Sequence, residues 1–459
     1  MNDVDSNGIS RKVNPKETYW YKNYFLFPKI SCKTFQKRFR LRFRLPHSSF
    51  KILLNSVSTS HHFAISNPTY KRDRSPISLL LLVSLRYLGR GWTFDDLEES
   101  TGISAEVHRI FFHKSLDYGV EILYPRFVKY PTTSQEGLTH SLEFNKAGMH
   151  GAIGSMDACH ITIEKCSHRL KQNHLGGKSK LTCRSYNLTC NHRRQILHTT
   201  PGHPARWNDK TIVLYDSLAK GLKNGTIMQD NIFELFERSD TNEIVTKKYR
   251  GAWLVVDNGY LNWGVTIPPM KNTMFISETR WSQWLESMRI DVKCTFGILK
   301  GRFRILKAGI RCLGVEVADK IWKTCCALHN MLLEVDGITG EWDGVNGLFD
   351  FDMESEKIPF ALQRLANPSE QRNYDSSGMG PGVAVNYVAV DDDNDDHTIP
   401  NPAVNAIIED DDSEGIYSIR LMTADYFQSK LIEHFDILYL QYKIKWTSRI
   451  ETTPTNIII

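Results

Sequence analysis

Apolar residues recur along this chain with two different periods, and the places where the period changes predict its elements. Gly251 to Val256 (GAWLVV) is a short unbroken apolar run rich in Val and Trp, the pattern of a buried strand. Asp257 follows at once, so a carboxylate stands where that strand leaves the core. Gly151 to Lys165 (GAIGSMDACHITIEK) alternates with period two and predicts another strand, with Asp157 on the face of Ile153, Cys159, Ile161 and Ile163. An unpaired charge is costly there. Ser185 to Thr200 holds two apolar runs separated by Asn191 to Arg194 and reads as a hairpin, while Lys210 to Arg238 is mostly helical in pattern and Lys248 to Asp257 returns to strand. Strand, hairpin, helix, strand is an α/β order.

Helical spacing governs the rest. Between Thr279 and Leu306, Trp281, Trp284, Leu285, Met288, Val292, Phe296, Leu299 and Phe303 keep one face, and the far end carries Lys300, Arg302, Arg304 and Lys307. Gly314 to Glu334 predicts a further helix containing Cys325 and Cys326. A last one is expected from Thr423 to about Lys445, striped by Phe427, Leu431, Phe435, Leu438 and Tyr442 and packing on the body. Near the N-terminus, Ile77 to Leu88 ends at Gly89 to Gly91, Thr93 with Asp96 suggests a capped short helix, and Thr101-Gly102 breaks it. Ser104 then caps a third helix with Val107, Ile110 and Phe111 as its apolar positions, and Glu106, His108, Arg109, His113 and Lys114 facing elsewhere. That is the order of a helix-turn-helix, although any three-helix packing has the same signature.

Composition adds a charge imbalance. The 459 residues carry a net charge of +5, but ten of the 52 acids lie between Asp391 and Glu414, a segment with no Lys or Arg; setting it aside triples the basic surplus. Such a surplus favours a polyanionic partner. Lys37 to Leu45 (KRFRLRFRL) places Arg38, Arg40 and Arg42 between apolar residues, as either a partly buried amphipathic segment or a strip contacting phosphates. The longest strongly apolar run, Ile77 to Val83 extended to Leu88, is too short for a bilayer span, so an intracellular chain with nine reduced cysteines and no membrane association is expected. The expected organisation is a basic arm at 1–45, the helix-turn-helix unit at 46–130, a chemistry-bearing domain at 148–335, a disordered acidic linker at 367–415 and a C-terminal helix at 418–447.

Two strand-borne acids, Asp157 and Asp257, suggest a carboxylate cluster for divalent metal, because a cation offsets the cost of gathering like charges. The long helix after Asp257 is the natural source of a third ligand. A second cluster, Cys159, His160, Cys166, His168, His174, Cys183, Cys190 and His192, has no zinc-finger spacing and reads as core thiols with surface histidines.

The segments Gly154 to His160 (GSMDACH), Leu254 to Tyr260 (LVVDNGY), Asp291 to Leu306 (DVKCTFGILKGRFRIL) and Ala327 to Asn330 (ALHN) closely resemble the DDE-type transposases of the PIF/Harbinger superfamily. The resemblance covers roughly residues 20 to 335. It implies an RNase H-like catalytic domain preceded by an all-α helix-turn-helix domain, and DNA cleavage and strand transfer at element terminal repeats with two Mg²⁺ or Mn²⁺ ions. Action in the nucleus besides the cytoplasm, a Myb-like partner protein and homo-oligomerisation are further implications. Asp157 matches the first acid and Asp257 the second; Asp209, in PGHPARWND, matches a recurrent acid read as supporting the site. Arg38, Arg40, Arg42, Arg109, Lys114, Lys300, Arg302 and Arg304 are the expected DNA contacts.

The third acid does not match: Lys293 stands where the family has Glu. A charged ammonium cannot ligate a metal and repels the ions that aspartates attract. Asp291 lies about 200° away around the helix, and Glu286, though within about 20°, is roughly 10 Å away along the axis. The sequence therefore predicts a transposase-derived nuclease fold whose chemistry is compromised, the alternative being a DNA-binding or assembly protein descended from one.

Overall fold

Two hydrophobic cores meet across one sheet, and Asp157 sits on the seam between them. The computed structural model describes residues 13–63, 75–176, 180–312, 314–336, 415–441 and 443–444. Strands β1 (Ala152–Thr162), β2 (Cys183–Cys190), β3 (Ile196–Thr199), β4 (His203–Pro204), β7 (Trp253–Val255) and β8 (Thr266–Ile267) form the main sheet, in the order β3-β2-β1-β7-β8 with β4 also paired to β2. β2 runs antiparallel to β1 and β3, whereas β7 is parallel to both β1 and β8. A second sheet joins β5 (Ile232–Arg238), β6 (Ile244–Arg250) and β9 (Ile416–Ser418).

The alternation in the first strand is only half of its pattern. Ala152, Ile153 and Met156 are buried in one core, while Cys159, Ile161 and Ile163 belong to the other. Asp157 and Ala158, between the two sets, are the first residues of the strand to be only partly covered. The acid therefore occupies a gap between packed layers.

Five helices build the N-terminal layer: α1 (Lys33–Phe43), α2 (His47–Thr59), α3 (Ile77–Arg90), α4 (Phe94–Thr101) and α5 (Ala105–Tyr118). The segment expected as an arm is folded from residue 13 onward. Phe39 and Phe43, four residues apart on α1, are fully buried, and Phe43 packs edge-on against Trp20 and Tyr24. Helical period thus overrides the basic–apolar alternation of KRFRLRFRL. A capping box between Thr93 and Asp96 starts α4, and Gly102, at φ 66°, ends it. In α5 the buried stripe differs from expectation. His108 is buried with Phe111, Phe112 and Leu116, whereas Val107 and Ile110 are exposed. The cause is a hydrogen bond of 2.8 Å between His108 Nε2 and Thr101 Oγ1, which gives each side chain a partner inside the core.

The segment expected as mostly helical, 210–238, is helical only in α7 (Asp209–Val213) and α8 (Ser217–Asn224), after α6 (Ser134–Lys146); it ends in β5. Glu237 disguised that strand, since it is a buried acid held by Lys430 and Lys247. Gly251, at φ 117°, separates β6 from β7, so the single strand expected up to Asp257 is two. α9 (Ile276–Arg302) buries all seven apolar positions that the period assigned within it. Phe303, buried, follows its end. α10 (Val315–Val335) and α11 (Ala424–Leu440) match the other two expected helices in place, with Phe427, Leu431, Phe435 and Leu438 buried. The expected linker at 367–415, apart from its last residue, and Tyr442 lie outside the described residues. No helix among those described is long and apolar enough to cross a membrane.

Candidate active site

The parallel pairing of β1 with β7 sets the site, because it brings Asp157, in mid-strand, beside the point where the chain leaves β7 at Asp257. α9 lies across both strands and presents Arg289. One guanidinium nitrogen, Nη1, stands 3.6 Å from Asp157 Oδ2 and 3.6 Å from Asp257 Oδ2. The same cation therefore bridges the two acids. Burial pushes the Asp157 carboxyl above the ordinary carboxylate range; Arg289 draws it back, and the negative charge of Asp257 adds to the rise.

Asp257 is further held by its own loop. The Gly259 amide donates to Asp257 Oδ1 at 2.8 Å. A Cβ on residue 259 would lie 2.8 Å from Asp209 Oδ2 and 2.9 Å from Asp257 Oδ1, so only glycine lets the two carboxylates approach this closely. Asp209 arrives there as the first residue of α7, whose preceding Asn208 accepts from the Thr211 amide. Beneath the acids, the buried Tyr260 hydroxyl donates to Asn187 Oδ1 at 2.6 Å, and Asn187 Nδ2 donates to Asp216 Oδ2 at 2.7 Å. Burial, followed by Asp209, Asp157, Asp257 and Asp216, pushes the Tyr260 phenol well up, so it stays protonated as a donor. These interactions fix the floor of the site.

Lys293 is exposed one turn beyond Arg289, and its charge reaches Asp157. Neither alternative acid replaces it. Asp291 is buried on another side of α9, bonded to His192 Nδ1 at 2.5 Å with Arg194 at 4.0 Å, and Glu286 is exposed. Among the described residues, the group of three or more potential ligands whose donor atoms all lie within 4.8 Å of one another is His61, His62 and Glu121, not the aspartates. The donor set therefore does not fit a pair of divalent ions. Arg289, between Asp157 and Asp257, and Lys293, toward Asp157, oppose the approach of a further cation.

The residues expected on DNA have separate fates. Arg38, Lys114 and Arg304 are exposed. Arg40 makes a two-pronged pair with Asp336 at 2.9 and 2.6 Å, and Arg42 donates to the Tyr24 hydroxyl at 2.5 Å. Arg302 is buried and contacts His329 Nδ1 at 3.1 Å, so it supports the core rather than a ligand. Lys300 donates to the His160 carbonyl at 3.3 Å. Arg109 is clamped by Glu106 and lines a cavity of about 570 Å³ between the α3–α4 turn, α5 and the 305–312 segment, with none of the acids in its lining. A second cavity, about 480 Å³, opens beside Tyr260 and Asn258 and is edged by Lys210 and Lys271. Asn330 of the ALHN segment ties down β3, accepting from the Ile196 amide and donating to the Ile196 and Phe127 carbonyls.

Of the cysteine and histidine cluster, Cys159, Cys183 and Cys190 are core thiols, but His174 and His192 are buried rather than superficial. The residues that sequence reasoning missed are Arg289, Tyr260, Asn187 and Asp216. Arg289 had a readable signal, since four residues before Lys293 is the same helix face. Tyr260 closes the LVVDNGY segment, but its partners Asn187 and Asp216 had no signal, because they come from two other distant segments.

Residues 156–330 match the family model of the DDE superfamily endonucleases, an interval that opens just before Asp157 and closes at Asn330. Endonucleases of this superfamily act on DNA and generally use divalent metal ions. Comparison with curated proteins and with solved structures finds no match.

Proposed function

We propose that this chain is a transposase-derived DDE domain of the PIF/Harbinger type that engages DNA but no longer cleaves it. The bridging of Asp157 and Asp257 by Arg289, with Lys293 at the third acid's place, carries this reading. A working site must attract two cations into a cluster of carboxylates; here Asp157 and Asp257 already face a guanidinium that cannot leave the chain. Mg²⁺ or Mn²⁺ binding is accordingly weak.

The fold reading is RNase H-like: the strand order β3-β2-β1-β7-β8, antiparallel around β2 and parallel from β1 onward, supports it. The order of α3, α4 and α5, with the glycine turn at Gly102, supports a helix-turn-helix. Exposed Arg38, Lys114 and Arg304, together with Lys210 and Lys271 beside the acids, supply phosphate contacts whose strength falls with salt. Nuclear action on element terminal repeats, a Myb-like partner and self-association complete the proposal.

The test is cleavage of DNA carrying the element's terminal repeats, in Mg²⁺ and in Mn²⁺, by the natural chain and by Lys293→Glu, beside a gel-shift titration of the same DNA. The expected result is binding by both and cleavage by neither or by Lys293→Glu alone. Cleavage by the natural chain that Asp157→Asn abolishes would overturn the proposal.

A further inference from the structure

His61 and His62 open a short 3-10 turn, His61–Phe63, that follows α2, and Glu121 faces them from a π-helical turn, Gly119–Leu123, that follows α5. We propose that these three residues form a binding site for a single divalent transition-metal ion of the zinc class, separate from the aspartate site. Each offers one donor atom, and the three atoms lie within 4.8 Å of one another. Tetrahedral zinc, with bonds of about 2.0–2.2 Å, needs such atoms roughly 3.3–3.6 Å apart. Side-chain rotation closes that difference. Two imidazoles and one carboxylate are a donor set that suits zinc, nickel or cobalt over magnesium, and three protein ligands leave one position for water.

The surroundings hold these side chains in place. His62 Nδ1 is 2.8 Å from Ser60 Oγ, and its Nε2 is 2.9 Å from Glu121 Oε2. Ser60 thereby holds the ring with Nε2 aimed at the Glu121 carboxylate, and a cation seated between them widens that contact to roughly 3.3–3.6 Å. The two imidazoles lie side by side, with centroids 4.0 Å apart, and the Tyr118 ring meets His62 edge-on. The His62 side chain is only 7% exposed, whereas that of Glu121 is 62% exposed, so one ligand is buried and the mouth is open. The turn that carries Glu121 is rigid for an independent reason: a Cβ at Gly119 would fall 2.3 Å from Thr324 Oγ1, which shows how tightly the turn is seated on α10. π-helical turns are rare and concentrate at functional sites. An ion here would pin the end of α2 to the element after α5.

The test is a titration of the chelator-treated full chain with Co²⁺, read by visible absorption, followed by competition with Zn²⁺. One equivalent should bind with a spectrum of nitrogen and oxygen ligands and no thiolate charge-transfer band. Glu121→Gln and His62→Ala should each lose that equivalent, Asp157→Asn should keep it, and Ser60→Ala should weaken it roughly 10–100-fold. Glu121→Gln alters an exposed side chain, and its metal-free circular dichroism and melting curve, matching those of the natural chain, exclude misfolding. The natural chain binding no more Co²⁺ than Glu121→Gln, or a thiolate spectrum, would overturn the proposal.

Discussion

Arg289 precedes Lys293 by four residues on α9, so the two cations stand one above the other toward the Asp157 carboxylate. Their joint effect is to fill electrostatically the place where metal would bind. Replacing Lys293 by Glu changes one positive charge to a negative one within reach of two carboxylates. Mn²⁺ affinity measured by calorimetry should rise at least about tenfold, or ~1.4 kcal/mol. An unchanged affinity would mean that Lys293 does not govern the site.

Asp157 gives a pH prediction with a definite sign. Its carboxyl is raised in the fold, chiefly by burial, so the unfolded chain ionises first as pH rises. Stability from this group is lost as pH climbs from the ordinary carboxylate range through the raised value, and the cost persists above it. Asp157→Asn should therefore melt higher than the natural chain near neutral pH, and the gap should close as the carboxyl protonates. A variant that melts lower at neutral pH would show that the pair with Arg289 outweighs burial.

Gly259 predicts a local effect without a global one. A methyl group there meets oxygens of both Asp209 and Asp257 below 3 Å. Gly259→Ala, made in the Lys293→Glu background, should weaken Mn²⁺ binding by displacing Asp257 while leaving the melting temperature nearly unchanged. Equal loss of fold and binding would assign Gly259 a structural role instead.

Asn330 satisfies one amide and two carbonyls that are otherwise stranded beneath β3. Its replacement by Ala should cost about 3 kcal/mol, since unmade buried hydrogen bonds cost ~1–3 kcal/mol each and some are rescued by water. The shift in urea midpoint measures this, and a loss under about 1 kcal/mol would show that the hairpin relaxes.

Phe427 is fully buried where α11 meets Phe233, Tyr249 and Trp253. Phe427→Ala should destabilise by about 3–5 kcal/mol, the range for a large core ring lost without collapse. Urea unfolding followed by tryptophan fluorescence reports it directly, Trp253 being one of the rings exposed.

The long elements were legible because burial on one side leaves a period that survives tertiary detail, as the apolar stripe of α9 shows. Asp157 and Asp257 were legible for the opposite reason: each interrupts a run that excludes charge. What escaped reading depends on partners far along the chain. Glu237 hides the alternation of β5, and its cations include Lys430, from an element near the other end. His108 looks like a surface residue until Thr101 meets it. Arg289 is hidden by its sign, because a metal site calls for a carboxylate and the group one turn before Lys293 is a cation.

The parallel seat of β9 beside β6 has a consequence for shortened forms of this chain. Residues 416–418 hydrogen-bond along Lys248 to Arg250, and α11 then covers β5 and α9. A product ending before residue 415 would keep both aspartates and Lys293 yet leave β6 unpaired along its β9-facing edge and Trp253 without the cover of Phe427. Exposed strand edges of this kind recruit other chains. Premature stops downstream of the family-matched region should therefore yield insoluble protein, so a lesion at the 3′ end of the gene would cost the fold, which Lys293 at the third acid's place has not done.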